Sequence, residues 1–323
     1  MKKANRFDAL SILLEYGILL VLLFLIVIFS VLSSNFLSVN TLVTILNQIS
    51  ITGITSIGMC YVILTGGIDL SVGSIAAVTA VSAAMFMQNG WGSIPSVLAA
   101  LCLALLFGLI NGFSVTKLHM PALIATLGTQ TALRGVAYIV TGGLPVHGFS
   151  DSFGNFAKAS VLGIPYMVIL MVCVFAGGKF LLEKTTTGRY IYGVGGNEES
   201  SRLSGVNVTQ IKLFVYMFAG FLSGIAGLVL LSRTNSGQPS AADRYEMDAI
   251  TAVVLGGVSL SGGEGKINQV MIGVVLMGVL STGMIMCGVD DYWQRLVKGV
   301  VLILAVAFTE FSIKIRNKRM DKR

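Results

Sequence analysis

Residues 16–68 read YGILLVLLFLIVIFSVLSSNFLSVNTLVTILNQISITGITSIGMCYVILTGGI and contain no Asp, Glu, Lys or Arg. A helix that crosses the hydrocarbon layer of a membrane needs about 20 mostly apolar residues, so this stretch predicts two such helices. Residues 70–116 are equally free of charge and predict two more. The whole chain is 54% hydrophobic and only 11% charged, whereas soluble domains average about 25% charged residues. The sequence therefore predicts an all-α polytopic membrane protein.

The distribution of positive charge predicts the orientation of this protein in the membrane. Most of the 22 Lys and Arg residues lie at the amino end, in the polar segment from Lys179 to Lys212 and in the tail. Because positive charge concentrates in cytoplasmic loops, we expect both termini to be cytoplasmic, with the net charge of +7 facing the lipid bilayer and not a nucleic acid. We expect about ten transmembrane helices, at residues 14–33, 42–64, 71–88, 95–115, 122–141, 161–180, 213–232, 247–262, 268–288 and 293–311.

Charge and hydropathy also divide the chain into three parts. Residues 1–13 are predicted to be a cytoplasmic N-terminal segment, residues 14–311 a transmembrane domain, and residues 312–323 a basic cytoplasmic tail. Within the domain, residues 181–212 form a charged, glycine-rich loop between two runs without charge, and we expect this loop to contact another protein. The longest outer loop, residues 141–163, is either a contact for an extracytoplasmic partner or a simple connector.

One sequence pattern occurs twice, as GGIDLSVG at residues 66–73 and as GGVSLSGG at residues 256–263. Paired glycines interrupt helices and let backbones approach closely, which the membrane interior tolerates only beside protein or a water-filled cavity. The repetition predicts either a parallel internal repeat of a transporter core or two unrelated interhelical turns. The candidate helix-break or gating residues are Gly66, Gly67, Asp69, Gly73, Gly256, Gly257, Gly262 and Gly263.

Asp69 is the one acid that the sequence places in an apolar environment at a helix break. Embedded acids are costly and are therefore candidates for proton relay. The position of Asp69 just before Leu70 favours instead a helix cap that accepts backbone N–H bonds from the first turn. No acid and base are predicted to pair within the spans, which argues against a carrier driven by ions.

The polar loop is predicted to contain a short helix at about residues 198–204. Asn197 is a suitable N-cap, Glu198 complements the positive helix start, Arg202 suits the last turn, and Gly205 suits the position after the helix. A helix this short is marginal alone, so the bundle or a partner must hold it.

Several catalytic chemistries are excluded by the same sequence. Leu260–Glu264 reads LSGGE and resembles an ATPase signature, but no GxxxxGK followed by Ser or Thr accompanies it. His119 and His147 are isolated and lack the spacing of metal ligands. No nucleophile and base can be paired within the spans, so an enzyme that acts inside the membrane is the weakest of the alternatives.

Three motifs in order, VILTGGIDLSVGS, TGRYIYGVGGNEESSRLSGVNV and MDAITAVVLGGVSLSGG, resemble the permease subunits of bacterial sugar ABC importers, closest to the ribose permeases. The resemblance implies a multi-pass protein of the bacterial cytoplasmic (inner) membrane that binds no cofactor itself and pairs as a homodimer. It implies an ABC ATPase partner, which carries ATP and magnesium, and a periplasmic or lipid-anchored sugar-binding protein. The residues that it implies for coupling to the ATPase are Gly188, Arg189, Gly195, Asn197, Glu198, Arg202 and Gly205.

An uncharged sugar needs hydroxyl-bonding groups along its path through the membrane. The candidates within the predicted spans are Asn47, Gln48, Asn111 and Gln130. Each could instead form an interhelical hydrogen bond, worth on average about 0.6 kcal/mol in membranes. Arg134, inside the fifth span, is a candidate for structure or gating. The rival function is an ion-coupled secondary sugar transporter.

Overall fold

A computed structural model describes residues 9–149 and 151–320 of the chain. The described residues form thirteen α-helices and one antiparallel pair of two-residue strands, in which Val161 lies opposite Ile164. The elements in chain order are α1 (Ala9–Leu32), α2 (Val39–Leu64), α3 (Val72–Gln88), α4 (Ser93–Thr116), α5 (Ala122–Thr141), α6 (Asp151–Lys158), β1 (Ser160–Val161), β2 (Ile164–Pro165), α7 (Tyr166–Lys184), α8 (Thr186–Gly196), α9 (Glu198–Leu203), α10 (Val208–Thr234), α11 (Tyr245–Leu255), α12 (Ile267–Met286) and α13 (Asp291–Met320).

Seven of the described helices are long and apolar enough to cross a membrane, namely α2, α4, α5, α7, α10, α12 and the first part of α13. The apolar segment Gly17–Leu32 of α1 and helix α3 are shorter. Every predicted span contains a helix, and the all-α membrane fold is confirmed, but the number of ten crossing helices is not. The difference is largest at residues 247–262, where α11 has 11 residues. At 1.5 Å per residue it rises only about 16 Å, roughly half the hydrocarbon thickness.

Helix α10 lies at the centre of the bundle and packs against α2, α3 and α4. It approaches α4 closely, since a methyl group placed on Gly220 would lie 2.7 Å from the carbonyl oxygen of Ala104 and 2.9 Å from the Cα atom of Gly108. Small residues at such crossings let helix backbones touch, which is how membrane helices gain packing energy without a hydrophobic driving force. The bundle is therefore held around α10 by backbone proximity.

The loops and short elements gather at two ends of the bundle. The end that contains α8 and α9 also contains the turns 65–71, 117–121 and 256–266, and we call it the α9 end. The opposite end contains α6 and the β1–β2 pair, and we call it the hairpin end. There, Val146 and Gly237 exchange two backbone hydrogen bonds of 2.9 Å.

A non-helical segment, residues 235–244, descends from the hairpin end into the bundle before α11 begins. It runs along α3, since a methyl group on Gly237 would lie 2.7 Å from Cβ of Ala84, and one on Gly73 would lie 2.5 Å from the carbonyl oxygen of Ala242. These two contacts are separated by about 16 Å of α3. Irregular backbone at such depth is tolerated only where protein surrounds it. The segment and α11 together therefore form one broken element.

Candidate functional site

Helix α9 forms with the capping residues that the sequence predicts. The Asn197 side chain accepts a 2.8 Å hydrogen bond from the backbone N–H of Ser200. Gly205 follows the helix with a φ of +84°, and its N–H donates to the carbonyl of Arg202 at 3.0 Å. The helix ends at Leu203, one residue before the predicted end, and the Leu203 side chain is 81% exposed. The short helix is therefore confirmed and presents a side chain outward from the bundle.

Ion pairs connect α9 internally and to α10. Arg202 contacts the carboxylates of Glu198 and Glu199, each at 3.1 Å. The second carboxylate oxygen of Glu198 accepts a 2.6 Å bond from Nζ of Lys212, which lies on α10. Glu198 therefore joins α9 to the central helix of the bundle.

Helix α8 precedes α9 and is not predicted from the sequence. The hydroxyl of Thr185 caps it by accepting from the N–H of Gly188 at 3.3 Å. A methyl group on Gly188 would overlap the carbonyl oxygen of Leu182, so this glycine permits the tight turn between α7 and α8. The side chain of Arg189 is exposed at the same turn. The predicted coupling residues thus lie on two consecutive short helices or directly beside them, since Asn197 is the N-cap of α9 and Gly205 follows it.

Three glycine-containing stretches, residues 64–67, 193–196 and 261–265, meet at the α9 end, and we call this contact the glycine junction. The N–H of Gly263 donates to the carbonyl of Leu64 at 2.9 Å. A methyl group on Gly195 would overlap both atoms of this hydrogen bond, and one on Gly262 would lie 2.8 Å from the nitrogen of Gly66. The junction therefore consists of main-chain atoms at a spacing that excludes a Cβ.

Tyr192 of α8 adds a side-chain link to the junction. Its hydroxyl donates a 2.9 Å hydrogen bond to the carbonyl of Gly265. Burial raises the pKa of Tyr192 to about 12, and the proximity of Cys60 and Glu183 adds to the increase. The phenol consequently remains a neutral donor throughout the physiological pH range.

Both glycine patterns of the sequence follow the end of a helix, and the two helix ends have the same structure. The residues that correspond in the structure are shifted by one position from those that match in the sequence. Gly66 follows α2 with a φ of +76°, and Gly257 follows α11 with a φ of +73°. In each case the next N–H reaches back five residues, from Gly67 to the carbonyl of Val62 at 3.1 Å and from Val258 to that of Val253 at 3.3 Å. This is the Schellman ending that a left-handed glycine permits. Gly66 therefore corresponds to Gly257 and not to Gly256, and the internal repeat stays a prediction.

Asp69 is buried before α3, where it forms a local turn. Its Oδ1 accepts from the N–H of Ser71 at 2.9 Å and from the Ser71 hydroxyl at 2.6 Å. The amide of Asn111 donates to the same Ser71 hydroxyl oxygen at 2.7 Å. Ser71 itself occupies the N-cap position. The predicted cap is thus corrected to an Asx turn that orients Ser71, because Asp69 stands two residues before the N-cap Ser71 and three before the first residue of the helix.

Glu246 was missed by the sequence analysis and forms a second buried acidic position. It is 3% exposed, and its Oε1 accepts a 3.0 Å bond from the side chain of Gln130. A methyl group on Gly73 would lie 2.5 Å from its Oε2. The sequence did contain a signal for this position, because Glu246 lies just before the uncharged stretch of residues 249–258. The sequence alone could not pair it with Gln130, which is 116 positions away.

The expectation that no acid and base pair within the predicted spans is wrong. Lys298 on α13 contacts Asp248 on α11 at 2.8 Å, and both side chains are about four-fifths buried. Helix α11 has only 11 residues and is too short to cross the membrane by itself. The ion pair attaches this short helix to its neighbour α13. The pair therefore has a structural explanation.

Arg134 fixes the broken element from the side of α5. One guanidinium nitrogen donates to the carbonyls of Pro239 and Ala241, both at 2.7 Å. Backbone carbonyls outside a helix lack internal partners, and a charged donor is the strongest available replacement. The structure agrees with a structural role for this arginine.

The four predicted pathway residues are not brought together. Asn111 belongs to the Asp69 cluster, and Gln130 binds Glu246. Asn47 and Gln48 lie half-buried on α2, and no hydrogen bond among the described residues joins them to either cluster. Asn111 and Gln130 thus belong to two polar clusters, and the assignment of the four residues to a solute path stays a prediction.

Comparison with known proteins identifies the class. Residues 41–306 match the family described as the permease component of branched-chain amino acid transport systems. The chain belongs to this family of membrane permeases.

Its similarity to individual permeases extends over nearly the whole chain. It is 45% identical to the ribose import permease protein RbsC of Escherichia coli (strain K12), over 94% of this chain and 95% of that protein. The ribose import permease protein RbsC of Bacillus subtilis (strain 168) is 41% identical over the same shares. The L-arabinose transport system permease protein AraH of Escherichia coli (strain K12) is 37% identical, over 94% and 92%. No solved structure matches.

Proposed function

We propose that this chain is the permease subunit of an ABC importer and carries a monosaccharide, ribose or a related sugar, across the bacterial cytoplasmic membrane by alternating access. The observation that carries the proposal is the 45% identity to a ribose import permease over 94% of the chain. Helices α8 and α9 add a physical argument, because α9 carries the exposed Leu203 and α8 touches the bundle through main-chain atoms.

The driving force is supplied by a separate ABC ATPase, which holds ATP and magnesium. Its docking surface is formed by Arg189, Asn197, Glu198, Arg202 and the turn at Gly205, while Gly188 and Gly195 set the angle of α8 against the bundle. Movement of α9 then reaches α10 through Lys212 and reaches α2 through the glycine junction. The chain itself binds no cofactor in this mechanism.

The membrane topology in this proposal places both termini and the α9 end in the cytoplasm. Residues 235–244 and α11 count as one broken crossing, so the transmembrane domain 14–311 contains ten crossings between the segments 1–13 and 312–323. A periplasmic or lipid-anchored sugar-binding protein delivers solute to the hairpin end, and two copies of the chain form the permease.

The proposed function is tested by reconstituting the chain with its ATPase and binding protein in proteoliposomes. We expect uptake of radiolabelled ribose that requires ATP, and loss of this uptake with retained membrane insertion when Arg202 is changed to Gln. Absence of ATP-dependent uptake with ribose, arabinose and xylose would contradict the proposal.

The second candidate, an ion-coupled secondary transporter, is favoured by one observation. Glu246 is buried and its Oε2 has no hydrogen-bond partner among the described residues, which is the environment of a proton-binding acid. Sugar uptake by the chain alone, driven by a proton or sodium gradient and lost in Glu246→Gln, would establish this function instead.

A further inference from the structure

Residues 239–246 lie beside the middle of the membrane-spanning helix α5. Arg134 of α5 donates to two backbone carbonyls of this stretch, and Gln130 of α5 donates to the carboxylate of Glu246. Arg134 lies seven residues before the last residue of α5, and Gln130 lies eight residues after the first. About 10 Å of helix or more therefore separates each of them from the nearer helix end. Because α5 is long enough to cross the hydrocarbon layer, residues 239–246 lie deep within that layer.

Two charged side chains in this stretch are exposed. The side chains of Asp243 and Arg244 are 60% and 54% exposed, and Ser240 is exposed beside them. Oδ2 of Asp243 and Nε of Arg244 lie 3.8 Å apart, which is too far for a hydrogen bond. Neither side chain forms another hydrogen bond within the described residues. Charged side chains at this depth face protein or a water-filled cavity, because contact with hydrocarbon costs too much free energy. The exposed face therefore does not border lipid.

The main chain of the same stretch is unusual. Ala242 and Arg244 have φ values of +53° and +63°, in the left-handed region that residues other than glycine rarely adopt. Residues 239–244 form turns and no helix, and the membrane interior tolerates such backbone only beside protein or water. Strained backbone of this kind concentrates at ligand-binding sites. The conformation therefore favours a ligand-binding role for the exposed face.

Water is a better neighbour for this face than a second protein surface. A covering protein would have to supply partners for both Asp243 and Arg244, and charged residues are depleted from the cores of protein interfaces. Water solvates both groups without such partners. The two charges, the turns and the depth are thus all explained by a water-filled path along this side of the bundle.

The chemistry of the exposed face defines the solute that it suits. The carboxylate of Asp243 accepts hydrogen bonds, the guanidinium of Arg244 donates them, and the hydroxyl of Ser240 does both. The two opposite charges are adjacent and cancel, so an ionic solute of either sign would be repelled by one of them. A solute with several hydroxyl groups and no charge can bind all three side chains.

We propose that Ser240, Asp243 and Arg244 form the solute-binding wall of a water-filled transport path near the middle of the membrane. The solute is an uncharged polyhydroxyl molecule of monosaccharide size. Arg134 and Gln130 hold the wall in place from the side of α5 and do not touch the solute. This inference rests on the proposed function and adds the place at which the solute contacts the chain.

The first experiment tests whether water reaches the wall in the complete transporter. Ser240→Cys introduces a thiol, and its reaction with a positively charged methanethiosulfonate reagent is followed by mass spectrometry of the peptide that contains it. The native Cys102 and Cys173 are internal controls, because they are exposed on the membrane-spanning helices α4 and α7. Ser240→Cys should react at least about ten-fold faster than either, because a charged reagent is excluded from hydrocarbon by more than the free energy of a ten-fold change.

The second experiment tests whether the wall binds the solute. Asp243→Ala and Arg244→Ala should each lower ATP-dependent sugar uptake about ten-fold, which is the loss of one hydrogen bond to a charged group. The Tm of the purified protein should not change, because neither side chain holds another part of the described chain. Asp243→Asn and Arg244→Lys keep a hydrogen-bonding group at the same place and should retain more uptake than the alanine variants.

The outcomes separate this inference from the proposed function. A labelling rate for Ser240→Cys equal to that of the native cysteines overturns the water-filled path and places this face against lipid or a second copy of the chain. Full uptake in the alanine variants, or a loss of uptake accompanied by a lower Tm, overturns the solute-binding wall. If the unsubstituted transporter imports none of ribose, arabinose and xylose with ATP, the proposed function itself has failed.

Discussion

Gly195→Ala tests whether helices α8 and α9 act on the bundle through the glycine junction. The added methyl group would overlap the Leu64 oxygen and the Gly263 nitrogen, which form a 2.9 Å hydrogen bond with each other. This steric overlap can be removed only if the hydrogen bond breaks or the three backbone stretches move apart, because the overlapping atoms belong to the main chain and not to a flexible side chain. An unsatisfied buried backbone group costs about 1–3 kcal/mol, and overpacking costs a similar amount. We therefore expect destabilisation of about 1–3 kcal/mol.

Gly196→Ala is the matched control, because it is adjacent on α8 and a methyl group there meets no atom within 4 Å. Both variants gain the same helix propensity, so only the steric contact differs. Thermal unfolding of the purified complex should show a lower Tm for Gly195→Ala, and proteoliposomes should show a lower ratio of sugar imported to ATP hydrolysed. Equal Tm values and equal ratios in the two variants would refute the reasoning.

Three further predictions concern the caps and the broken element. Arg134→Met leaves the carbonyls of Pro239 and Ala241 without their charged donor and should lower the Tm of the purified protein by the equivalent of about 1 kcal/mol, partly restored by Lys; an unchanged Tm would contradict it. Asn197→Ala removes the N-cap of α9, which should lower the free energy of unfolding by about 1 kcal/mol and reduce ATP-dependent sugar uptake. Asn207→Ala removes the N-cap of the much longer α10 and should retain uptake; equal uptake in the two variants would contradict the prediction. Gly67→Ala should lower the Tm by pressing on the Tyr216 hydroxyl, and Tyr216→Phe should restore it in the double variant, an outcome that additive effects would exclude.

Local features of this fold are readable from the sequence because their causes lie within a few residues. Asn197, Arg202 and Gly205 define a short helix through capping interactions that span at most one turn. The membrane class follows in the same way from uncharged runs longer than the hydrocarbon thickness.

The long-range features could not be predicted. Hydropathy records how apolar a segment is but not whether its backbone is helical, so residues 247–262 suggested a full span although α11 ends at Leu255. The paired glycines predicted helix breaks, whereas their meeting at one junction depends on contacts between distant segments. Glu246 is buried because Gly73 of α3 and Gln130 of α5 pack against it, and these residues are too distant in the sequence for a local pattern to indicate the contact.

The main-chain character of the glycine junction has a consequence for engineering. Because the contact uses backbone atoms, the outward side chains of α9, such as Leu203 and Arg202, take no part in it. In the proposed function, the part of the movement that passes through the glycine junction is therefore carried by different atoms from those that dock on the ATPase. The permease could be redirected to a different ATPase by exchanging only those outward side chains, while the transmission route through the backbone is left intact.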